Sequence, residues 1–211
     1  MGANGVLVVI SGFAGAGKGT IVKGLLNNYD NYALSVSMTT REPRPGEKDG
    51  EAYFFVSREK FEKTIEEGGL IEHATYCDNY YGTPKAYVEE QLKSGRDVIL
   101  EIELQGALQI KELYPEVLLL FVTPPSAKIL KERLVGRGTE TPEVVKKRMD
   151  RAAVEAGMMD KYDHIIINDT VEEAITYTHA VIQAAHSMPF RMKRLVKRIQ
   201  GDLKQMSEEK E

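Results

Sequence analysis

The sequence of 211 residues has one cysteine, no tryptophan and no long apolar run. A lone cysteine, Cys77, excludes a disulfide within the chain and is typical of a reducing cytoplasm, where we expect this protein to be found. No apolar stretch approaches the roughly 20 residues that cross a bilayer. The N-terminus lacks a basic segment followed by signal-like apolar residues, so we expect neither membrane insertion nor secretion.

The chain also lacks an excess of basic charge. It has 28 Lys and Arg against 32 Asp and Glu, which gives a net charge of −4. This balance argues against general nucleic-acid binding, so any anion site must be a local cluster of Arg and Lys. The apolar fraction of 42% and the charged fraction of 28% are ordinary for a globular protein of one or two domains.

Glycines are concentrated in one stretch near the N-terminus, between the apolar run Val6–Ile10 and a helical pattern that begins at Ile21. A buried strand, a glycine loop and a helix N-terminus, in this order, are typical of a phosphate-binding loop, whose backbone N–H groups surround an anion. We expect Lys18 to reach the phosphates. The predicted nucleoside triphosphate site consists of Gly12, Phe13, Ala14, Gly15, Ala16, Gly17, Lys18, Gly19 and Thr20.

One position of this loop departs from the usual pattern. The residue after Lys18 is Gly19, where Ser or Thr normally supplies a hydroxyl to Mg²⁺. We therefore expect Mg²⁺ to be held through phosphates, water and acidic side chains, with the Thr20 hydroxyl as a candidate substitute. The Gly-Lys-Gly-Thr form is similar to that of adenylate kinases, which is compatible with phosphate transfer between nucleotides.

Apolar runs alternate with helical patterns along much of the chain. The predicted buried strands are Val6–Ile10, Val98–Ile102, Val117–Val122 and His164–Ile167, and the predicted helices include Ile21–Asn28, Thr83–Lys93 and Ala127–Leu134. This alternation predicts an α/β domain with a parallel sheet covered by helices on both faces. Ligands of such sheets bind at the carboxyl ends of the strands, where the glycine loop falls.

Two segments interrupt the alternation. Residues 37 to about 82 are rich in Arg, Pro, Gly and Tyr and predict a small α+β lobe. Residues 126 to about 160 are charged and helical, with a glycine-flanked arginine, Arg137, of the kind that a mobile lid requires. The predicted parts are a core (1–36, 95–125 and 161–186), a lobe (37–94), a lid (126–160) and a C-terminal helical tail (187–211).

The lobe contains a second candidate anion site. Arg41 and Arg44 lie three residues apart, are stiffened by prolines and follow hydroxyl residues, so they can form a fork for a dianionic phosphate. Tyr53 and Tyr81 are candidate phenolic donors. A charged loop that is only solvated is the alternative interpretation, which the neighbouring phosphate-binding loop disfavours.

Two carboxylates follow the second predicted strand. Glu101 and Glu103 are two residues apart, and the period of a strand predicts that both lie on one face at its end. Such a pair fits a position near Mg²⁺ and a substrate base. Which of the two faces metal-bound water and which faces the base stays open.

The ordered motifs together resemble those of guanylate kinases, from about residue 5 to residue 185. The pattern Ser-x-Thr-Thr-Arg-x-Pro-Arg-x-Gly-Glu begins at Ser37, and Gly50 and Tyr53–Val56 follow it. Further matches are Ile71-Glu72, Asn79–Thr83, Gln105-Gly106, Pro124–Ser126, Arg137–Thr141 and Asn168-Asp169. Many family members carry aspartates at the positions of Glu101 and Glu103.

The resemblance implies a three-layer fold of the P-loop NTPase type with a GMP-binding lobe and a helical lid, and it implies ATP-dependent phosphorylation of GMP, and of dGMP, with Mg²⁺. Glu72 would accept hydrogen bonds from guanine N1–H and the 2-amino group, and Thr83 would contact O6. The implied GMP-binding residues are Ser37, Arg41, Arg44, Tyr53, Glu72, Tyr81, Gly82, Thr83, Glu101 and Glu103.

The same resemblance implies roles on the ATP side. Arg133, Arg137 and Arg148 match lid arginines that would surround the ATP phosphates, while Asn168 and Asp169 would border the adenine. The implied catalytic residues are Lys18, Arg41, Arg137 and Arg148. Mg²⁺ would be held by phosphates and water, with Thr20 and Glu101 as candidate protein partners.

Two other functions remain open from the sequence: a guanylate-kinase-like binding module without catalysis, and a kinase for another small phosphate acceptor. The tail from Met188 to Ile199 has apolar residues at helical spacing and a basic face. We expect it to form an amphipathic helix that packs on its own core or on a second subunit. Binding to a membrane or to nucleic acid is the less favoured interpretation of the tail.

Overall fold

The computed structural model describes residues 4–76, 78–136 and 141–208, which fold into two sheets and surrounding helices. The strands are β1 (Leu7–Gly12), β2 (Tyr32–Leu34), β3 (Met38–Thr39), β4 (Phe54–Phe55), β5 (Leu70–Tyr76), β6 (Asn79–Pro84), β7 (Asp97–Glu101), β8 (Leu118–Thr123) and β9 (His164–Ile167). The helices are α1 (Lys18–Asn28), α2 (Arg58–Glu66), α3 (Lys85–Lys93), α4 (Leu104–Leu113), α5 (Ala127–Gly136), α6 (Pro142–Ala156), α7 (Val171–Ala185) and α8 (Lys193–Glu208).

The larger sheet has five parallel strands in the order β2-β7-β1-β8-β9. Its central strand β1 is buried along its whole length, as expected of a strand covered on both faces. Ile10 of β1 lies opposite Glu101 of β7 and Leu120 of β8. The loop after β1 and the carboxylate that ends β7 are therefore brought to the same edge of the sheet.

The four predicted strands of this sheet are confirmed, with ends shifted by no more than two residues. The predicted helix Thr83–Lys93 begins two residues late, at Lys85, because Thr83 and Pro84 still belong to β6. The edge strand β2 was not predicted. It has only three residues and pairs with β7 alone, so it carries too short an apolar pattern to be recognised.

Helices pack closely on the larger sheet. Gly24 of α1 lies against α7, and a Cβ built on it would be 2.1 Å from Cδ1 of Ile175. A side chain at this position would force the two helices apart. The core between the helices and the sheet includes Val8, Leu119 and Phe121, all fully buried.

The smaller sheet, in the order β4-β3-β6-β5, forms the lobe around the second candidate anion site. Its strands β3, β6 and β5 are antiparallel, and Phe61 of α2 is fully buried beneath them. A Cβ built on Gly82 would lie 2.9 Å from Phe61 and 2.8 Å from Leu70. Strand β5 packs against α4, which begins at the carboxyl edge of the larger sheet, so the two sheets meet beside the candidate site.

A buried carboxylate organises the opposite edge of the larger sheet. Asp97 is 1% exposed and accepts hydrogen bonds from Val6 N at 2.8 Å and Asn31 Nδ2 at 3.0 Å. His186 Nε2, just after α7, lies 2.8 Å from Oδ1 of Asp97, the oxygen that also accepts from Val6 N. The start of β1, the loop before β2 and the end of α7 are thus joined at one residue, away from the glycine loop.

The C-terminal helix α8 contributes nothing to this core. None of its residues is buried, and its apolar side chains Val196, Ile199, Leu203 and Met206 are exposed. An ion pair between Lys193 and Glu116 lies at its start. None of the described helices combines the length and the apolar character that a transmembrane span requires.

Candidate functional site

The glycine loop between β1 and α1 is fixed by a side chain from the far end of the sheet. Gly15 and Gly17 have positive φ angles of 87° and 91°, which favour glycine. Asn168, which follows β9 and is 2% exposed, donates from Nδ2 to the carbonyl of Ala16 at 2.7 Å. A Cβ on Gly17 would lie 2.3 Å from that same nitrogen. Any larger residue at position 17 would therefore displace the asparagine.

Lys18 is the first residue of α1, where the helix N-terminus adds positive potential. Its Nζ donates to the carbonyl of Gly12 at 2.8 Å and to that of Phe13 at 3.3 Å. The ammonium is thus held at the mouth of the loop. Phe13 itself is buried and makes an edge-to-face contact with Phe121, so its side chain anchors the loop in the core.

A carboxylate lies beside Gly19, the position at which a phosphate-binding loop usually has a hydroxyl. Both oxygens of Glu101 lie 3.8 Å from the place where a Cβ on Gly19 would be. Glu101 is accessible to solvent, but the protein that surrounds it partly desolvates the carboxyl group and raises its pKa. The neighbouring charges of Lys18 and Lys23 act in the opposite direction.

A cavity of about 460 Å³ opens beside the glycine loop, and five residues predicted for the ATP side line it. Arg133 of α5 reaches across this cavity and donates from Nη2 to the carbonyl of Asp169 at 3.3 Å. The lining residues are Gly15, Gly17, Thr20, Arg133, Gly136, Asn168 and Val171. Arg148 lies half-buried on α6, and Arg137 lies outside the described residues.

The second candidate anion site is centred on Arg41. Its guanidinium makes two hydrogen bonds to the carboxylate of Glu47, Nη1 to Oε2 at 2.9 Å and Nη2 to Oε1 at 3.0 Å. It also lies over the ring of Tyr53, 5.4 Å from the centroid. Hydrogen bonding to Glu47, and secondly to Tyr81, raises the pKa of Arg41, so the group is a permanent cation.

Other residues predicted for the phosphate of GMP surround Arg41. Tyr53 and Tyr81 meet edge to face at 5.9 Å, and burial raises the pKa of Tyr53, which keeps its hydroxyl a donor. Ser37 is half-buried, and its carbonyl accepts from Phe54 N at 2.9 Å. The side chain of Arg44 is exposed.

Glu47 is a residue of this site that the sequence reasoning left without a role. Besides both nitrogens of the Arg41 fork, it accepts a hydrogen bond from the backbone N of Arg44 at 2.8 Å. Bonding to Arg41 first, and then to the Arg44 backbone, lowers the pKa of Glu47. It therefore stays ionised and holds the Arg41 side chain and the Arg44 backbone. The only signal in the sequence was its place in the motif that begins at Ser37.

A buried carboxylate lies beside the arginine site. Glu72 of β5 is 7% exposed and accepts a hydrogen bond from Thr83 Oγ1 at 2.7 Å. Its other oxygen faces Gly106 of α4, where a Cβ would be only 3.1 Å away. Burial raises the pKa of Glu72, and the bond from Thr83 opposes that shift. No cation pairs with Glu72 among the described residues, so the carboxylate is available to hydrogen-bond donors of a ligand.

The two carboxylates expected at the end of one strand are arranged differently. Glu101 is the last residue of β7, but Glu103 lies beyond the strand, as the residue before α4. The prediction that both end one strand and share its face is wrong, because the chain turns into a helix at Leu104. Glu103 instead forms an ion pair with Arg151 of α6.

The described residues thus present two cationic sites and a buried carboxylate at adjoining edges of two sheets. The family model named guanylate kinase matches residues 4–185. This chain belongs to the guanylate kinase family. The motif that begins at Ser37 and the glycine loop both lie within the matched residues.

Curated guanylate kinases are similar to this chain over most of its length. That of Oceanobacillus iheyensis is 47% identical over 198 residues, covering 94% of this chain and 96% of the relative. That of Halalkalibacterium halodurans is 53% identical over 86% of this chain and 89% of the relative. A solved structure of guanylate kinase from Anaplasma phagocytophilum has a TM-score of 0.73 and 33% identity, and the match covers 90% of each chain.

We expect Glu47→Gln to weaken GMP binding. The neutral amide cannot accept from both nitrogens of Arg41, so the guanidinium loses its fixed orientation. The KM for GMP should rise about tenfold, the equivalent of one charge-assisted hydrogen bond. Steady-state kinetics with varied GMP measure the effect. Glu51→Gln is the matched control, since Glu51 lies in the same loop with an exposed side chain. An equal KM increase in both variants would contradict the assignment.

We expect Glu72→Gln to stabilise the protein at about pH 8 but not at about pH 4, the ordinary range of a glutamate pKa. An acid whose pKa is raised by folding stabilises the fold while protonated, and that contribution is lost as the pH rises through its folded-state pKa. A glutamine avoids this loss. Urea unfolding at the two pH values tests the difference, with exposed Glu112→Gln as the control. A stability difference that does not change with pH would contradict this account.

Proposed function

We propose that the protein transfers the terminal phosphate of ATP to GMP, and also to dGMP, giving ADP and the nucleoside diphosphate. The observation that carries this proposal is the buried, uncompensated carboxylate of Glu72 beside the Arg41 site. A pocket that holds an acceptor carboxylate next to a phosphate-binding arginine fits a nucleotide whose base offers N–H donors. Membership of the guanylate kinase family supports the same activity.

The pocket chemistry favours guanine over adenine. The N1–H and 2-amino groups of guanine can both donate to the Glu72 carboxylate, while the Thr83 hydroxyl can reach O6. Adenine has no donor on the corresponding edge, so its binding would leave the buried carboxylate unpaired. An unsatisfied buried acceptor costs about 1–3 kcal/mol, and more when it is charged.

The phosphate of GMP would bind to the Arg41 fork and the hydroxyls around it. Arg44, Ser37, Tyr53 and Tyr81 complete this site, and the backbone at Gly82 gives the close packing that the β6 strand needs. A dianionic phosphate matches the planar geometry of a guanidinium group. Glu47 already holds the fork in one orientation, so that GMP meets a preorganised cation.

ATP would bind at the glycine loop, with its phosphates at Lys18 and its adenine toward Asn168 and Asp169. Arg133, Arg148 and Arg137, which lies outside the described residues, would approach the phosphates from the lid. We further propose that the core, the lobe and the lid move as separate parts during this step, so that closure excludes water. Water exclusion would favour transfer to GMP over hydrolysis of ATP.

The residues beside the loop fit a partial Mg²⁺ site. No three acidic, histidine or cysteine side chains converge on a metal site in the part of the chain described. Mg²⁺ usually keeps several waters and binds through one or two carboxylates together with substrate phosphates. Glu101, beside Gly19, and the Thr20 hydroxyl would hold it there. The ion would supply charge neutralisation to the phosphates.

The reaction itself requires little proton chemistry. The attacking oxygen of the GMP phosphate is already an anion, so no general base is needed. Phosphoryl transfer depends on placing donor and acceptor in line and on neutralising the charge of the transferred group. Lys18 and the lid arginines stabilise that charge, while Arg41 orients the attacking phosphate. The single Cys77 and the nucleotide substrates support a cytoplasmic location.

A coupled assay of ADP formation with GMP, dGMP, AMP, UMP or no acceptor tests this function. We expect turnover with GMP and dGMP, little with AMP or UMP, and almost none without acceptor. Lys18→Ala should lower kcat at least about a hundredfold, since it removes a charge from the transition state, while GMP binding persists. Glu72→Gln should reduce the preference for GMP over AMP. Equal rates with all acceptors, or full activity of Lys18→Ala, would refute the proposal.

We also propose that two copies of the chain associate through α8. Its exposed apolar face has no partner in the described part of the chain, and such a face is usually covered by another helix. The first half of α8 is basic, with Lys193, Arg194, Lys197 and Arg198, and acidic residues occur only in its second half. An antiparallel pair would therefore place opposite charges side by side while it buries the apolar face.

Light scattering of the full chain tests the paired helices. The double variant Ile199→Asp and Leu203→Asp should be monomeric where the native chain is a dimer, because each new charge would be buried at the contact. Gln205→Glu adds a charge to the polar face of the same helix and should leave the mass unchanged. A monomeric native chain, or a mass that neither change affects, would contradict this proposal.

A further inference from the structure

Glu103 is held in place through its backbone, but its side chain does not cap the helix α4 that follows it. The carbonyl of the preceding residue, Ile102, accepts a hydrogen bond from Ser11 Oγ of β1 at 2.8 Å. Glu103 occupies the position before the first turn of α4, where a short polar side chain would cap the helix. It makes no such capping bond. Its carboxylate is therefore not used to cap α4 and is available to another partner.

That partner is Arg151 of α6. Nη2 of Arg151 contacts Oε2 of Glu103, and Nε of the same guanidinium donates to Oε1 of Glu155 at 2.7 Å. Glu155 is 8% exposed, so one side of the Arg151 guanidinium is bound to a buried carboxylate while the other contacts Glu103. The pair with Glu103 joins residues far apart in the chain, one on the lid helix and one beside the base pocket.

The same turn of α4 also borders the pocket for the base. Gly106 of this turn lies against the carboxylate of Glu72, since a Cβ built on Gly106 would be 3.1 Å from Oε2, tighter than an ordinary contact. Glu103 and Glu72 thus lie at one end of α4. A flexible, solvent-exposed carboxylate there would lose rotamer freedom whenever a ligand ordered it. An arginine that holds it beforehand removes this cost from binding.

We propose that Arg151 is a positioning residue for GMP binding, which orients the Glu103 carboxylate toward the base pocket from the lid helix. This inference rests on the proposed function, in which Glu103 belongs to the GMP site. The contacts of Arg151 include the carboxylates of Glu103 and Glu155. Its effect on GMP binding therefore passes through Glu103.

The test is a double-mutant cycle on the Kd for GMP, measured by calorimetric titration of the full chain. Arg151→Gln should raise this Kd about fivefold, the scale of freeing one long side chain, and change kcat less than about twofold. In a Glu103→Gln background the same substitution should have almost no further effect, because the group it positions is already altered. Lys146→Gln removes a charge from the same helix and should leave the Kd unchanged.

Loss of Arg151 leaves the buried carboxylate of Glu155 without this cation, so Arg151→Gln could unfold the chain. Arg151→Lys keeps a charge beside Glu155 but lacks the fork that spans two carboxylates, and it should raise the Kd in the same direction. An unchanged Kd in Arg151→Lys and Arg151→Gln would overturn the inference. An equal increase with and without Glu103→Gln would overturn it too. If the unaltered protein bound no GMP at all, the proposed function itself would fail.

Discussion

The carboxyl ends of β1, β7 and β8 meet at one edge of a parallel sheet, and the site depends on that meeting. Because the strands are parallel and in register, the residues that follow each strand lie at the same edge of the sheet. Here these are the glycine loop after β1, Glu101 at the end of β7 and Glu103 just beyond it. The smaller sheet then needs only to pack on α4 to bring Glu72 and Arg41 toward the same edge.

An enzyme that brings two polyanions together must hold cations where the anions bind. Burying a cation without a partner costs free energy, because the charge loses its hydration. In this chain the cations already have protein partners. Arg41 is held by Glu47, Arg151 lies between Glu103 and Glu155, and Lys18 donates to loop carbonyls. These contacts orient the cationic groups. Substrate phosphates would then add to, or exchange with, partners of similar geometry.

Patterns local in sequence were the ones that could be predicted. The order of strand, glycine loop and helix predicted the tight loop between β1 and α1, because its geometry depends on neighbouring residues, while phosphate binding there stays a prediction. The alternation of apolar runs and helices likewise predicted the parallel sheet, which the structure confirms. Only its three-residue edge strand was missed. The roles of Glu72 and the lid arginines came from family motifs and stay predictions, as does the role of Arg44, which its spacing from Arg41 indicated.

Side-chain pairing across long separations could not be predicted. Nothing near Glu103 in the sequence indicates that its partner is Arg151, since that contact depends on how α6 packs against the core. The role of Glu47 was also hidden, because a loop with prolines has no periodicity that reveals which carboxylate turns back onto Arg41. The strand expected to carry Glu103 ended early because the next helix begins at Leu104.

The bond from Asn168 to Ala16 has a consequence for the catalytic cycle. Because the buried side chain of Asn168, which follows the edge strand β9, fits against Gly17, contacts within the fold itself hold the curved shape of the loop. If ATP binds at this loop as proposed, the loop would not need to refold between the departure of ADP and the arrival of the next ATP. The entropic cost of ordering this segment arises once, when the chain folds. It is not added to the free energy of nucleotide binding in each turnover.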